Sequence, residues 1–170
     1  MLKNDMNTIL IRQYATTDAA ELLRLLLLLQ DKYYKKSATK RVQELQGDID
    51  YPEIYARYIT FLNENLAGGN WKIFIAAGNS EKCVGFIIGS YEEDADMIKG
   101  KIGKLEDWFV EDEYRGQQTG FSLYKKLEEW FKEKGCNQLQ SEIWDGNELS
   151  RKMHEKLGFF VTGILFGKEC

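Results

Sequence analysis

Between Lys101 and Gly135 a strand-patterned run passes through a turn carrying two glycines into a strongly amphipathic helix, and no other stretch limits the fold as much. Residues 101–110 contain Leu105, Trp108, Phe109 and Val110 and read as a strand. In 116–134, Leu123, Leu127, Trp130 and Phe131 recur on one side, and Gly135 supplies a C-terminal stop. Such a helix must lay its apolar face on a sheet, and the flanking segments supply one. Ile9–Tyr14, Trp71–Ala77, Lys82–Tyr91, Gln138–Trp144 and Phe159–Phe166 read as strands, with Gly78-Asn79-Ser80-Glu81 as a hairpin turn.

Helices are expected from Asp18 to about Tyr34, from Pro52 to Leu66, and from Asn147 to Leu157 before Gly158. Asp18 with Glu21 has capping-box spacing, and Gln46-Gly47-Asp48 reads as a break. Leucine at nearly every position from 22 to 29 predicts a helix contacted on several sides, by core or by a partner surface that would allow a homodimer. The order β-α-α-β-β-β-α-β-α-β predicts an α/β fold, one mixed sheet flanked by helices. With no internal repeat or linker in 170 residues, 1–170 reads as a single domain.

Composition narrows the function classes. Lys plus Arg total 23 against 27 Asp plus Glu, a net charge of -4, which argues against nucleic acid as the partner. Leu22–Leu29 is interrupted by Arg24 and is far too short for a bilayer span, and residues 1–8 lack the apolar core of a signal peptide. No membrane association and a cytoplasmic location are therefore expected. Cys83, Cys136 and Cys170 show neither CxxC spacing nor pairing with the single histidine, so no metal site or cysteine nucleophile is expected. Two acidic clusters, Glu44, Asp48, Asp50 and Glu53, then Glu92, Glu93, Asp94 and Asp96, read as solvated loops; the alternative is a rim that attracts a cationic substrate.

The chemistry points to 105–120. Where a strand turns into a helix, several backbone N–H groups lack intrahelical partners and point outward with the positive end of the helix dipole, a cradle for a pyrophosphate. Two glycines alone fit an ordinary strand-to-helix turn equally well. The run Tyr114-Arg115-Gly116-Gln117-Gln118-Thr119-Gly120, however, resembles the coenzyme A loop of the GNAT superfamily of N-acetyltransferases: Gln or Arg, two residues, Gly, one residue, then Gly or Ala. Arg115 and Gly120 match its ends, whereas Gln118 replaces the central glycine, and its Cβ penalises a positive φ. Ile11-Arg12, followed by Ala15 and Asp18, is similar to that superfamily's first strand and helix start. Asn147, Ser150, Met153, His154 and Glu155-Lys156-Leu157-Gly158-Phe159 match its last helix, with His154 where the family usually has a tyrosine.

Within the superfamily, Leu105-Glu106-Asp107-Trp108-Phe109-Val110 is most similar to the spermidine/spermine N-acetyltransferase branch. The resemblance implies acetyl transfer from acetyl-CoA to a primary amine, without a metal, on a small cationic acceptor such as a polyamine. Protein N-terminal or lysine acetylation, and non-catalytic acyl-CoA binding, are the alternatives. It implies that Phe109 and Val110 give backbone partners to the pantetheine arm, that Arg115, Gly116, Gln117, Gln118, Thr119 and Gly120 hold the pyrophosphate, and that Asn147 contacts the cofactor. It also puts Glu106 at the position of the base and His154 at that of the acid for the thiolate. A base has work to do, because deprotonating an alkyl ammonium of pKa about 10.4 at pH 7 costs about 4.6 kcal/mol. Strand alternation would let only one of Glu106 and Asp107 face the cleft, and the resemblance selects Glu106. Imidazole donates a proton near neutrality but is shorter than the tyrosine it replaces.

Overall fold

The structure is a computed structural model, and it describes residues 9–34, 50–78, 82–93, 100–144 and 146–164. Five strands, β1 (Leu10–Gln13), β2 (Trp71–Ala77), β3 (Cys83–Glu93), β4 (Lys101–Val110) and β5 (Cys136–Ser141), form one sheet in that order. The first four pair antiparallel, and β4 pairs with β5 in parallel, so the sheet is mixed. The helices are α1 (Ala19–Leu29), α2 (Tyr51–Leu66), α3 (Thr119–Glu133) and α4 (Glu148–Lys156).

Each face of the sheet carries its own core, as alternation along β2, β3 and β4 demands. Leu22, Leu25, Leu26 and Leu29 of α1 and Ile59 and Leu62 of α2 pack on Ile73, Ile75, Phe86, Ile88 and Phe109. Leu123, Leu127, Trp130 and Phe131 of α3 pack on Ala76, Val84, Ile87, Leu105 and Val110 of the other face. The leucine density of α1 is thus used within this chain's own core. Gly89 and Gly103 let α3 lie close, since a Cβ on either would sit 2.7 Å from Leu127 or from Leu139 and Phe131.

Several expectations hold with small shifts. Pro52 lies in the first turn of α2, whose N-cap Asp50 accepts a hydrogen bond from the Glu53 N–H at 3.1 Å. β2 and β3 pair as the hairpin expects, with the Gly78 N–H on the Lys82 carbonyl; 79–81 lie outside the described residues. The break at 46–48 also lies outside them. Past Leu29 the first helix widens into a π-helical turn, Gln30–Tyr34.

Two expectations fail. Asp18 and Glu21 form no reciprocal cap on α1: both Asp18 carboxylate oxygens are taken at 2.7 Å by Arg12 of β1, and Glu21 pairs with Arg24 instead. The final strand is also missing. Residues 159–164 form no strand, and Phe160, Val161 and Ile164 are 81%, 68% and 77% exposed. Strand-like composition does not make a strand without a neighbour to take its backbone groups, and none of the described residues pairs with this segment. Residues 165 and 166 lie outside the described residues.

The Arg12 guanidinium, through its hydrogen bonds, holds the Asp18 carboxyl below its usual range against the opposing effect of burial, helped by the Ala15 N–H. A depressed acid stabilises the fold above the unfolded pKa near 4 and ceases to do so as pH falls through the folded value. Asp18→Asn should therefore cost about 1.5 kcal/mol at neutral pH, at the low end for a charged hydrogen bond because Arg12 is partly exposed. Urea denaturation from pH 7 down to 2.5 should show the gap to wild type closing below about pH 4.

Candidate active site

The site begins where the sheet comes apart. Pairing between β4 and β5 runs from Lys101–Cys136 to Leu105–Ser141 and stops there, while β4 continues to Val110. Residues 106–110, about 13 Å of strand at 3.3 Å per residue, have no β5 neighbour along that edge. At the apex stand Glu106 and Ser141, and at the far end the chain turns through Asp112–Tyr114 into α3.

The β4 register is broken at the apex. Ile88 pairs with Asp107 and Gly89 with Leu105, so Glu106 is one extra residue, a β-bulge. This corrects the expectation from alternation: the phase slips at Glu106, and both neighbouring carboxylates lie on the α1/α2 face. Glu106 accepts a hydrogen bond from the Ser90 hydroxyl at 2.5 Å. Asp107 accepts from Tyr34 at 3.2 Å and from Tyr58 at 3.1 Å, one tyrosine on each carboxylate oxygen.

Burial pushes the Asp107 carboxyl above its usual range, and the neighbouring Glu106 adds to this while the two tyrosine hydrogen bonds oppose it. Burial, followed by the charge of Asp107, pushes the Tyr34, Tyr55 and Tyr58 hydroxyls up, so they remain proton donors. Tyr34 and Tyr58 were not singled out from the sequence. The available signal was the spacing of Tyr51, Tyr55 and Tyr58 at i, i+4 and i+7, which sets them along one face of α2.

The turn 115–118 leads into α3, whose first three N–H groups have no carbonyl one turn back. Gln118 adopts a left-handed conformation with φ 64°, and it is the only non-glycine residue with positive φ among the described residues. Gln118 thus holds a backbone conformation that ordinarily favours glycine. Next to it the buried Thr119 hydroxyl has no hydrogen-bond partner among the described residues. Ile9, Ile11, Gln117, Thr119 and Ser122 line a small open cavity of about 160 Å³. An orphaned hydroxyl beside unpaired N–H groups fits an anion such as a pyrophosphate.

Other expected cofactor residues have evident structural duties. Arg115 donates through Nε to the Val110 carbonyl at 2.9 Å, pairs with Asp112 and lies over the Phe109 ring, which braces the end of β4. Gly120 packs closely on Trp108: a Cβ there would sit 3.2 Å from the ring, which would have to give by a few tenths of an ångström. Asn147 caps α4, its side chain accepting from the Ser150 N–H at 3.1 Å. Gly116, with φ 74°, faces open space, while Phe109 and Val110 are buried at the end of the open β4 edge.

His154 is buried on α4, with its ring edge-on to Trp108 and Phe159. Its Nδ1 is 2.8 Å from the Ser150 carbonyl, and its Nε2 is 2.8 Å from the Ser141 hydroxyl at the apex. Ser141 was not anticipated. Where described, the acidic clusters are not loops: Glu92 and Glu93 end β3 and pair with Lys104 and Lys101, while Asp50 caps α2 and Glu53, in its first turn, lies 3.9 Å from Arg57. Among the described residues there is no group of three or more possible metal ligands, and no helix is long and apolar enough to cross a membrane.

Residues 28–159 match the acetyltransferase (GNAT) family model. The chain belongs to the GNAT family. Its fold is shared with aminoglycoside N-acetyltransferase AAC(6')-Iy, solved in complex with CoA, at a TM-score of 0.71 and 22% identity over 99% of this chain and 100% of the other. Glucosamine-6-phosphate N-acetyltransferase from Arabidopsis thaliana aligns at 0.66 and 21% identity over 95% and 98%. In sequence, 70 residues are 37% identical to thialysine N-epsilon-acetyltransferase of Bos taurus, and this match spans 41% of either chain. A further 105-residue match, 26% identical, to aminoglycoside N(6')-acetyltransferase type 1 of Stenotrophomonas maltophilia covers 59% of this chain and 67% of that one.

Two measurements check this geometry. Gln118→Gly should stabilise the protein by about 0.5–1 kcal/mol, the left-handed strain relieved less the entropy of an added glycine, and Tm should rise accordingly. Because the Asp107 pKa is raised, its contribution is full below the unfolded pKa near 4 and falls as pH rises through the folded value. Asp107→Asn should therefore gain on wild type between pH 4 and 7 in urea denaturation, and a gap constant with pH would contradict the raised value.

Proposed function

We propose that this chain transfers the acetyl group of acetyl-CoA directly to a primary amine on a small cationic molecule. The observation that carries the reading is the bulge, which sets two carboxylates side by side at the apex of the parted strands. Opposite them, Tyr34, Tyr55 and Tyr58 hold aromatic faces and hydroxyls near the Asp107 charge. An ammonium is attracted both by such faces and by the acids, so the same wall binds the acceptor and orients its nitrogen.

Glu106 takes a proton from the ammonium. Ser90 occupies one of its oxygens and leaves the other to face the acceptor. The free amine then attacks the thioester carbon. The open edge of β4, residues 106–110, supports the acyl-pantetheine arm in extended form, and the first turn of α3 with Thr119 supports the pyrophosphate. The relatives named for thialysine and aminoglycosides act on amines by their names, which supports an amine acceptor here. A polyamine is the finer form of the proposal. It rests on the likeness at 105–110 and on the paired acids, not on a charged rim, since Glu92 and Glu93 are matched by lysines.

The test is turnover of acetyl-CoA, read as free thiol, with spermidine, putrescine, lysine, an aminoglycoside and an N-terminal peptide at equal concentration. A small polycation is expected to be preferred; preference for the peptide would move the acceptor to proteins. No turnover with any amine, while coenzyme A still binds, would favour the non-catalytic reading. Glu106→Gln should lower kcat/KM about 10²-fold at pH 7 and less above pH 9, where the amine needs less help in losing its proton.

A further inference from the structure

Resting on the acetyl-transfer reading, we propose that Ser141 is the group that protonates the departing thiolate, with His154 behind it as the proton source. His154 occupies the family's acid position, but its Nε2 is engaged by a hydroxyl. The Ser141 hydroxyl stands at its Nε2, 2.8 Å away, and the same oxygen is 3.4 Å from the Leu105 carbonyl, the last β4 residue paired to β5. Ser141 therefore sits at the apex where the extended acyl arm would end, beside Glu106, and His154 sits one hydrogen bond further in.

The tautomer follows from the partners. Nδ1 lies 2.8 Å from the Ser150 carbonyl, which can only accept, and 3.3 Å from the Ser150 hydroxyl, which can do either; the shorter contact assigns a proton to Nδ1 and leaves Nε2 to exchange one with Ser141. The ring lies edge-on to Trp108 at 6.4 Å and to Phe159 at 5.1 Å between centroids, and hydrogen bonds at both nitrogens hold it in this orientation. With Nε2 protonated, that N–H donates to Ser141 and frees the hydroxyl proton to point elsewhere. With Nε2 bare, the hydroxyl points at the ring.

The protons balance. An ammonium gives up two protons on becoming an amide: the first passes to Glu106 before the attack, and the second leaves the nitrogen for solvent as the tetrahedral intermediate collapses. As the carbon–sulfur bond breaks, its electron pair stays on sulfur, which takes the Ser141 hydroxyl proton. Ser141 in turn takes the proton on His154 Nε2, leaving neutral imidazole. Solvent then exchanges protons with Glu106 and His154, and one proton is released per turnover.

The experiment measures kcat and the KM for acetyl-CoA, at saturating amine, in Ser141→Ala, Ser141→Thr, His154→Gln, the Ser141→Ala/His154→Gln double variant and Ser141→Ala/His154→Tyr. Ser141→Ala should lose about 10²-fold in kcat with KM unchanged, whereas Ser141→Thr keeps the hydroxyl and most of the activity. The Ala/Gln double variant should be no slower than the worse single one, since a relay is broken once. Tyr at 154 carries its own hydroxyl further out, so Ser141→Ala/His154→Tyr should regain activity. Wild-type kcat in Ser141→Ala, equal losses in the Ala and Thr variants, or additive losses in the double variant would overturn the relay and leave the acetyltransferase reading intact. So would an acetyl adduct on Ser141 after acetyl-CoA alone, since the hydroxyl would then be a nucleophile. Absence of turnover in wild type with any amine removes the reading and the relay together.

Discussion

The parting of β4 from β5 after the Leu105–Ser141 pair is the constraint on which the rest of the site depends. Up to that pair the backbone groups of β4 are satisfied on both sides; beyond it one edge of a central, otherwise buried strand stands open. Open strand backbone inside a fold must find partners, which makes it a template for an extended ligand. Everything assigned a chemical role lies along this edge or at its ends: Glu106, Asp107 and Ser141 at the apex, and the α3 turn with Thr119 at the other end.

The bulge at Glu106 works on the same strand from the opposite direction. An unbroken β4 would send Glu106 and Asp107 to opposite faces, and one carboxylate would meet the apolar side of α3. The extra residue keeps both on the α1/α2 face, where Ser90, Tyr34 and Tyr58 satisfy them. Charge burial is costly without such partners, and the raised Asp107 carboxyl records what cost remains. Around this polar centre, Arg24 of α1 reaches the buried Glu111 just past β4 and the Cys83 carbonyl at the start of β3, which locks the strand exit against the helix.

Much of the fold was legible in the order and period of the chain. The leucines of α1, the amphipathic stripe of α3 and the glycine stops follow from local rules, because a helix with one apolar stripe has one way to be covered. The helix start after β4 was legible too, since a strand-to-helix turn presents unpaired N–H groups whatever the rest of the chain does. Three features escaped. Asp18 was read as the cap of the first helix, but its carboxylate is turned back to Arg12 and the Ala15 N–H and caps no N–H of α1. Phe159–Phe166 was read as a strand, but its described part has no neighbour. Tyr34 and Tyr58 were overlooked because their partner, Asp107, is distant in sequence.

The sequence by itself determined that strands and helices alternate, that a helix N-terminus follows β4, and that the runs holding Glu106 and His154 resemble one family's motifs. These follow from side-chain period and from residues in fixed local spacing. Only the tertiary structure decided that both acids share a face, that Gln118 takes a left-handed turn, and that Ser141 links His154 to the last paired residue of β4. A bulge, a strained φ and a hydrogen bond between a strand and a later helix are set by pairing register and by how helices settle on a sheet. Those are long-range quantities, and no local window of residues encodes them.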